Sequence, residues 1–104
     1  REVWVRGHLT PEGTVYVDAG ATTALRSGAS LLPVGVTRIE GRFARGAAVA
    51  IKNDAGRLIG KGITAYGAED AARIAGLQSD AVEAQLGYRG RPALVHRNDL
   101  ILET

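Results

Sequence analysis

The sequence predicts a mainly β fold with short helices, in the α+β class, in which a sheet curls into a small barrel and the helices cover its ends. Three observations lead to this prediction. The chain has 104 residues, which suits one domain. Short segments of alternating apolar and polar residues recur along it, as half-buried strands require. Fourteen glycines and three prolines divide the chain into short elements.

A strand and a short helix open the domain. Residues 13–17 alternate and are predicted as a strand with Val15 and Val17 on one face and Tyr16 on the other. Asp18 follows, and its carboxylate can accept from the unpaired N–H groups of a first helical turn, which predicts a helix over about 19–27. Gly28 is expected to end that helix. The helix face expected to pack against the sheet consists of Ala21, Ala24 and Leu25.

The strands that follow are predicted to form an antiparallel run. Residues 37–43 alternate between apolar and charged side chains, and residues 47–52 form a further strand after a turn. The segment 53–56 has the composition of a hairpin turn. It leads to a return strand over about 57–65.

The last third of the chain is predicted to contain two helices and a closing strand. The helices cover 68–75 and 80–86, with Ser79 as the cap of the second. Together they form a helical insertion at about 68–87. A closing strand is expected over 100–102.

Composition excludes several classes of protein. The chain has no cysteine, which excludes a disulfide scaffold and a thiolate metal site, and two histidines far apart cannot build a structural zinc site. No apolar run approaches the roughly 20 residues that span a bilayer. We therefore expect a soluble, cytoplasmic protein without membrane contact. The chain begins at Arg1 and has no methionine, which indicates a piece of a longer product.

Positive charge is concentrated in the first half of the chain. Residues 19–53 contain five basic side chains against Glu40 alone, a net charge of +4. The remaining residues have 8 basic and 10 acidic side chains, a net charge of −2. Taken alone, this asymmetry is best explained by a solvated strand face, because most charged residues are simply exposed.

The sequence has no recognisable catalytic motif. Residues 41–46 have the glycine spacing of a phosphate loop, but alanines follow where lysine and a hydroxyl residue are required. No serine has the glycine-flanked turn that exposes a nucleophile. His96 is better explained by a hydrogen bond to the adjacent turn than by a role as general base. We expect no catalytic residue, no metal and no cofactor in this chain.

Three segments, 17–21, 28–36 and 41–46, resemble the PUA domain family in sequence and in order. PUA domains are small β pseudobarrels found in tRNA- and rRNA-modifying enzymes and in glutamate 5-kinases. The resemblance implies a PUA-like pseudobarrel over 13–104, preceded by a linker over 1–12 from another domain.

The second half resembles the carboxyl-terminal region of the bacterial glutamate 5-kinase family, at 73–76, 86–88 and 95–102. This resemblance implies a parent enzyme that transfers the γ-phosphoryl group of ATP, with Mg²⁺, to the side-chain carboxylate of glutamate in the first step of proline biosynthesis. Its catalytic residues would lie in an amino-acid kinase domain in cis. A regulatory or assembly role for this domain, within a homo-oligomer, is implied as well.

RNA-binding relatives touch nucleic acid through the first helix, the loop after it and the last strand. The resemblance therefore implies candidate RNA contacts at Arg26, Ser27, Gly28, Ala29, Ser30, Leu31 and Arg97. Arg26 could pair with a phosphate, and Gly28 would let the sugar–phosphate backbone approach. Aromatic platforms for bases are limited to Trp4, Tyr16, Tyr66 and Tyr88. Three functions stay open: an accessory domain of a glutamate 5-kinase, an RNA-binding module of a tRNA- or rRNA-modifying enzyme, and a protein-interaction barrel.

Overall fold

The computed structural model describes residues 10–88 and 90–102. Its strands are β1 (Gly13–Val17), β2 (Val36–Gly41), β3 (Ala48–Asn53), β4 (Leu58–Ile63) and β5 (Leu100–Leu102). Its α-helices are α1 (Ala19–Arg26), α2 (Ala68–Ile74) and α3 (Ser79–Leu86), and two 3₁₀ turns lie at Pro33–Gly35 and Arg97–Asp99. Residues 1–9, which include Trp4 and most of the predicted linker, lie outside the described residues. The domain division at residue 13 stays a prediction.

The five strands form one mixed sheet in the order β2-β1-β3-β4-β5. β1 lies between β2 and β3, antiparallel to the first and parallel to the second, so within the predicted antiparallel run β3 and β4 pair as expected but β2 and β3 do not pair. The reason is the path of the chain. After β2 the chain reverses direction and crosses to the other side of β1. β3 therefore lies beside β1 and runs parallel to it. Alternation within each strand does not reveal that crossing.

An isolated bridge between Leu31 and Val95 joins two segments outside the five strands. The Leu31 N–H donates to the Val95 carbonyl at 2.8 Å, and the Leu94 N–H donates to the Leu31 carbonyl at 2.7 Å. The side chains of Leu31, Leu94 and Val95 are fully buried together with those of the central strands. The largest fully buried apolar side chains are Val15, Val17, Leu25, Leu31, Val49, Ile51, Ile59, Ile74, Leu94 and Val95. Val15 and Val17, which are predicted to share one face of β1, are both among them.

Asp18 caps α1 as predicted, because its Oδ1 accepts from the Ala21 N–H at 2.7 Å. The predicted packed face of this helix was only partly right. Leu25 is buried, but Ala21 is half-buried and Ala24 is exposed. A helix of eight residues turns little of its surface to the core, and Ala21, which packs against the core with part of its surface, also faces Gly35 of the following turn.

The two helices of the insertion belong to the same core as the sheet. Ala71 and Ile74 of α2 and Val82 of α3 are buried in it. α3 begins at Ser79, and Gln78 occupies the cap position without a side-chain hydrogen bond. The prediction that Ser79 caps this helix was therefore wrong by one residue, because the helix extends one position further toward its amino end.

Candidate functional site

The end of α1 and the loop after it lie beside the segment before β5. The backbone N–H of Arg97 donates to the Ser30 hydroxyl at 2.9 Å, across 67 positions of sequence. The Leu31–Val95 bridge is adjacent to this contact. The structure therefore places the two stretches of candidate residues, 26–31 and Arg97, next to each other.

The candidate residues differ in what they can present to a ligand. Ser30 is half-buried, and the exposed members are Arg26, Ser27, Gly28, Ala29 and Arg97. Gly28 has a φ of +95°, and a Cβ built on it would meet nothing within 4 Å, so the space beside it is open. The Leu31 side chain is only 1% exposed. Leu31 therefore positions the loop from the core.

An apolar groove of about 320 Å³ lies between α1 and the loop 29–35. Leu32 and Val34 line it and are 47% and 41% exposed, which is unusual for large apolar side chains. The other lining residues are Asp18, Gly20, Ala21, Ala24, Ala29, Ser30, Leu31 and Gly35. Reasoning from sequence did not assign this groove to the site. The available signal was the apolar run 31–34 in a loop bracketed by glycines.

Two of the proposed aromatic platforms are partly or wholly occupied. Tyr66 is 3% exposed, and its hydroxyl donates to the Arg91 carbonyl. Burial raises the pKa of Tyr66 above its usual value of 10.0. The ring of Tyr16 has the Arg38 guanidinium stacked over it at 4.0 Å, a cation–π contact. Tyr66 is therefore a core residue rather than a surface for stacking a base, because its ring is almost entirely enclosed.

Tyr88 presents a more open ring. It is 49% exposed, and its hydroxyl donates to Asp70 Oδ2 at 2.8 Å. That hydrogen bond raises the pKa of Tyr88, because the phenolate would lose it and would face the carboxylate. Asp70 also lies 3.7 Å from the Arg73 guanidinium.

His96 behaves as the sequence indicated, since its Nδ1 accepts from the Asn98 N–H at 3.1 Å. Among residues 10–88 and 90–102, no three side chains of the metal-ligating types form a cluster. In the same part of the chain, no helix has the length and apolar character to cross a membrane.

One protein family matches most of the chain. A sequence model of the PUA domain family matches residues 13–86. The chain belongs to the PUA domain family. A solved PUA domain from Aeropyrum pernix, crystallised as a tartrate complex, is 27% identical with a TM-score of 0.59, covering 85% of this chain and 45% of that chain. The PUA-like pseudobarrel predicted from the sequence is confirmed.

Glutamate 5-kinases resemble this PUA domain over nearly its whole length. The chain is 51% identical over 102 residues to the enzyme of Sinorhizobium fredii, covering 98% of the chain and 26% of the enzyme. It is 47% identical over 103 residues to that of Paramagnetospirillum magneticum, covering 99% and 28%. The chain therefore spans about a quarter of the length of the curated relatives it matches. The resemblance found in the second half of the sequence is confirmed.

Proposed function

We propose that this PUA domain is the non-catalytic accessory domain of a glutamate 5-kinase, the enzyme that phosphorylates the side-chain carboxylate of glutamate with ATP in proline biosynthesis. The observation that supports this is the identity of about one half to such kinases over 98% of the chain. The match extends through the helical insertion and the closing strand.

In this proposal, ATP and Mg²⁺ bind to an amino-acid kinase domain in cis, in the part of the relatives that this chain does not match. The whole enzyme works in the cytoplasm, where ATP and glutamate are available, and assembles as a homo-oligomer. The contribution of the PUA domain is regulation or assembly. The exposed Leu32 and Val34 side chains suit this role, because apolar groups exposed together favour contact with another protein surface.

The test uses the full-length protein and a version that lacks residues 13–104. We expect the full-length protein to phosphorylate glutamate, and the shortened one to keep that activity with an altered response to Mg²⁺ or proline, or an altered oligomeric state. A full-length protein without glutamate kinase activity would reject the proposal. Unchanged responses and an unchanged oligomer would reject the regulatory or assembly role.

A paired substitution tests the surface itself in the full-length enzyme. Leu32→Asp with Val34→Asp places two charges in the apolar groove and is expected to reproduce the effect of the deletion. Ala55→Asp with Ala72→Asp is the control, because it adds the same two charges at exposed positions that do not line the groove. Equal effects of the two pairs would show that the groove is not the contact.

RNA binding is the second candidate function. The contact between Ser30 and Arg97 supports it, because it brings the exposed Arg26 end of α1 and Arg97 onto one surface. A structure of an H/ACA RNP bound to a substrate RNA shares the fold, at 19% identity and a TM-score of 0.56. For tRNA, we expect the logarithm of affinity to fall with the logarithm of salt by about 0.9 per neutralised phosphate. Arg26→Glu should weaken binding, while Arg57→Glu should weaken it less; identical isotherms for both would reject this surface.

A further inference from the structure

A second groove lies between the turn at 44–47 and the segment 90–93, and no function above uses it. Two adjoining clefts of about 440 and 600 Å³ form this groove. The residues that line both clefts, and so define the groove centre, are Arg45, Ala65, Arg91 and Pro92. Each cleft has the volume of a site for a small ligand.

Two cations line the groove centre, and no described carboxylate forms an ion pair with either. Arg45 and Arg91 are both exposed, and neither forms an ion pair within the described part of the chain. Two guanidinium groups that line one small space repel each other, and an anion between them would add an attractive interaction with each. The planar guanidinium also donates two parallel hydrogen bonds to phosphate or carboxylate oxygens.

The two ends of the groove have acidic side chains, whereas its centre has basic ones. Asp99 lines one end, and Asp70 lines the other. Asp70 is already engaged by the Tyr88 hydroxyl and the Arg73 guanidinium. Among the described residues that line the two clefts, the arginines and lysines are Arg45 and Arg91 alone, so a polyanion that continued past the centre would gain no further cation there. The arrangement therefore suits a compact anion rather than an RNA strand.

We propose that this groove binds a small anionic metabolite, with a phosphate group placed between Arg45 and Arg91. The apolar surfaces of Ala65 and Pro92 would pack against the rest of the ligand and exclude water from the charged contacts. The inference goes beyond the proposed function, because it assigns a metabolite site to the accessory domain. The phosphate could be free or belong to a nucleotide, since both present the same oxygens.

The test measures binding of the full 104-residue chain to three probes by two-dimensional NMR: inorganic phosphate, AMP and a single-stranded RNA oligonucleotide. We expect phosphate or AMP to shift the arginine Nε–H signals and the Ala65 amide in a saturable way. Arg45→Gln and Arg91→Gln should each weaken that binding about tenfold, because each removes hydrogen bonds to a charged group. The control, Arg57→Gln, also removes one positive charge from an exposed arginine, but outside the groove, and should bind like the original chain.

Three results would overturn the proposal: no saturable shift with phosphate or AMP, equal weakening in the groove and control variants, or tighter binding of RNA that requires both groove arginines. Saturation with phosphate alone identifies the free anion, and stronger saturation with AMP identifies a nucleotide; both support the site. Arg45→Lys and Arg91→Lys keep the charge and serve if a glutamine variant does not fold. They should still weaken binding, since lysine lacks the paired donors. Glutamate kinase activity is assayed separately, so failure of this site is distinguishable from failure of the proposed function.

Discussion

A methyl group added at Gly35 is expected to disturb the packing between α1 and the turn at 33–35, both of which line the candidate site. A Cβ at Gly35 would lie 2.6 Å from Ala21 Cβ, about 1 Å inside ordinary carbon contact. Because the Gly35 carbonyl also accepts from the Asp18 N–H at 3.0 Å, α1 and the turn cannot separate without straining that hydrogen bond. Overpacking of this kind costs about 1–3 kcal/mol. We expect Gly35→Ala to lower the free energy of unfolding by that amount.

Ala21→Gly provides the matched rescue. Without the Ala21 methyl group, the nearest remaining atom to the new Cβ is the Cα of residue 21 at 3.6 Å, an ordinary contact. Ala21→Gly alone should cost about 1 kcal/mol as a helix substitution, and the double variant should lose no more than that. The coupling energy is therefore about 1–3 kcal/mol, measured by urea unfolding followed by circular dichroism.

Gly28→Ala is the control for this cycle. Its cost of about 1–2 kcal/mol comes from a φ of +95° and not from a contact, so Ala21→Gly should add to it without rescue. The contact is refuted if the double variant Gly35→Ala with Ala21→Gly loses as much free energy of unfolding as the two single variants together. Rescue of Gly28→Ala by the same substitution would refute the assignment of its cost to backbone strain.

Three further predictions concern stability. Asp18→Ala should lower the free energy of unfolding by about 1 kcal/mol, and Asp18→Asn should restore most of it, because an amide oxygen can also cap α1. Thr64→Val should cost about 1–3 kcal/mol in urea unfolding and Thr64→Ser much less, since the buried hydroxyl bonds both the carbonyl and the N–H of Tyr66. The pKa values of Tyr66 and Tyr88 are raised, the first by burial and the second by its hydrogen bond to Asp70. The unfolded chain therefore loses these protons first, so the contribution of the two tyrosines to stability should be complete below about pH 10 and should be lost as the pH rises through the folded pKa values. No loss of stability above about pH 10, or a loss unchanged by Tyr88→Phe, would contradict this.

Much of the local structure followed from the sequence because its causes are local. Alternation over 13–17 predicted β1 with its exact bounds, and Asp18 predicted the start of α1. The hairpin at 53–56 followed from its turn residues, and the Gly56 N–H does donate to the Asn53 carbonyl. The family resemblance predicted the pseudobarrel. Helix faces and caps were less reliable, as Ala24 and Ser79 show, because a shift of one residue changes which side chains are packed.

What the sequence determined by itself was the set of elements, their order, the family and the positions to inspect for ligand contact. Only the tertiary structure decided that β1 and β3 run parallel, that Ser30 meets Arg97, and that Arg45 and Arg91 line one groove. Each of these depends on the path of the chain between residues tens of positions apart. Periodicity, capping and turn chemistry act over a few residues, so they determine local elements but not which distant surfaces those elements bring together.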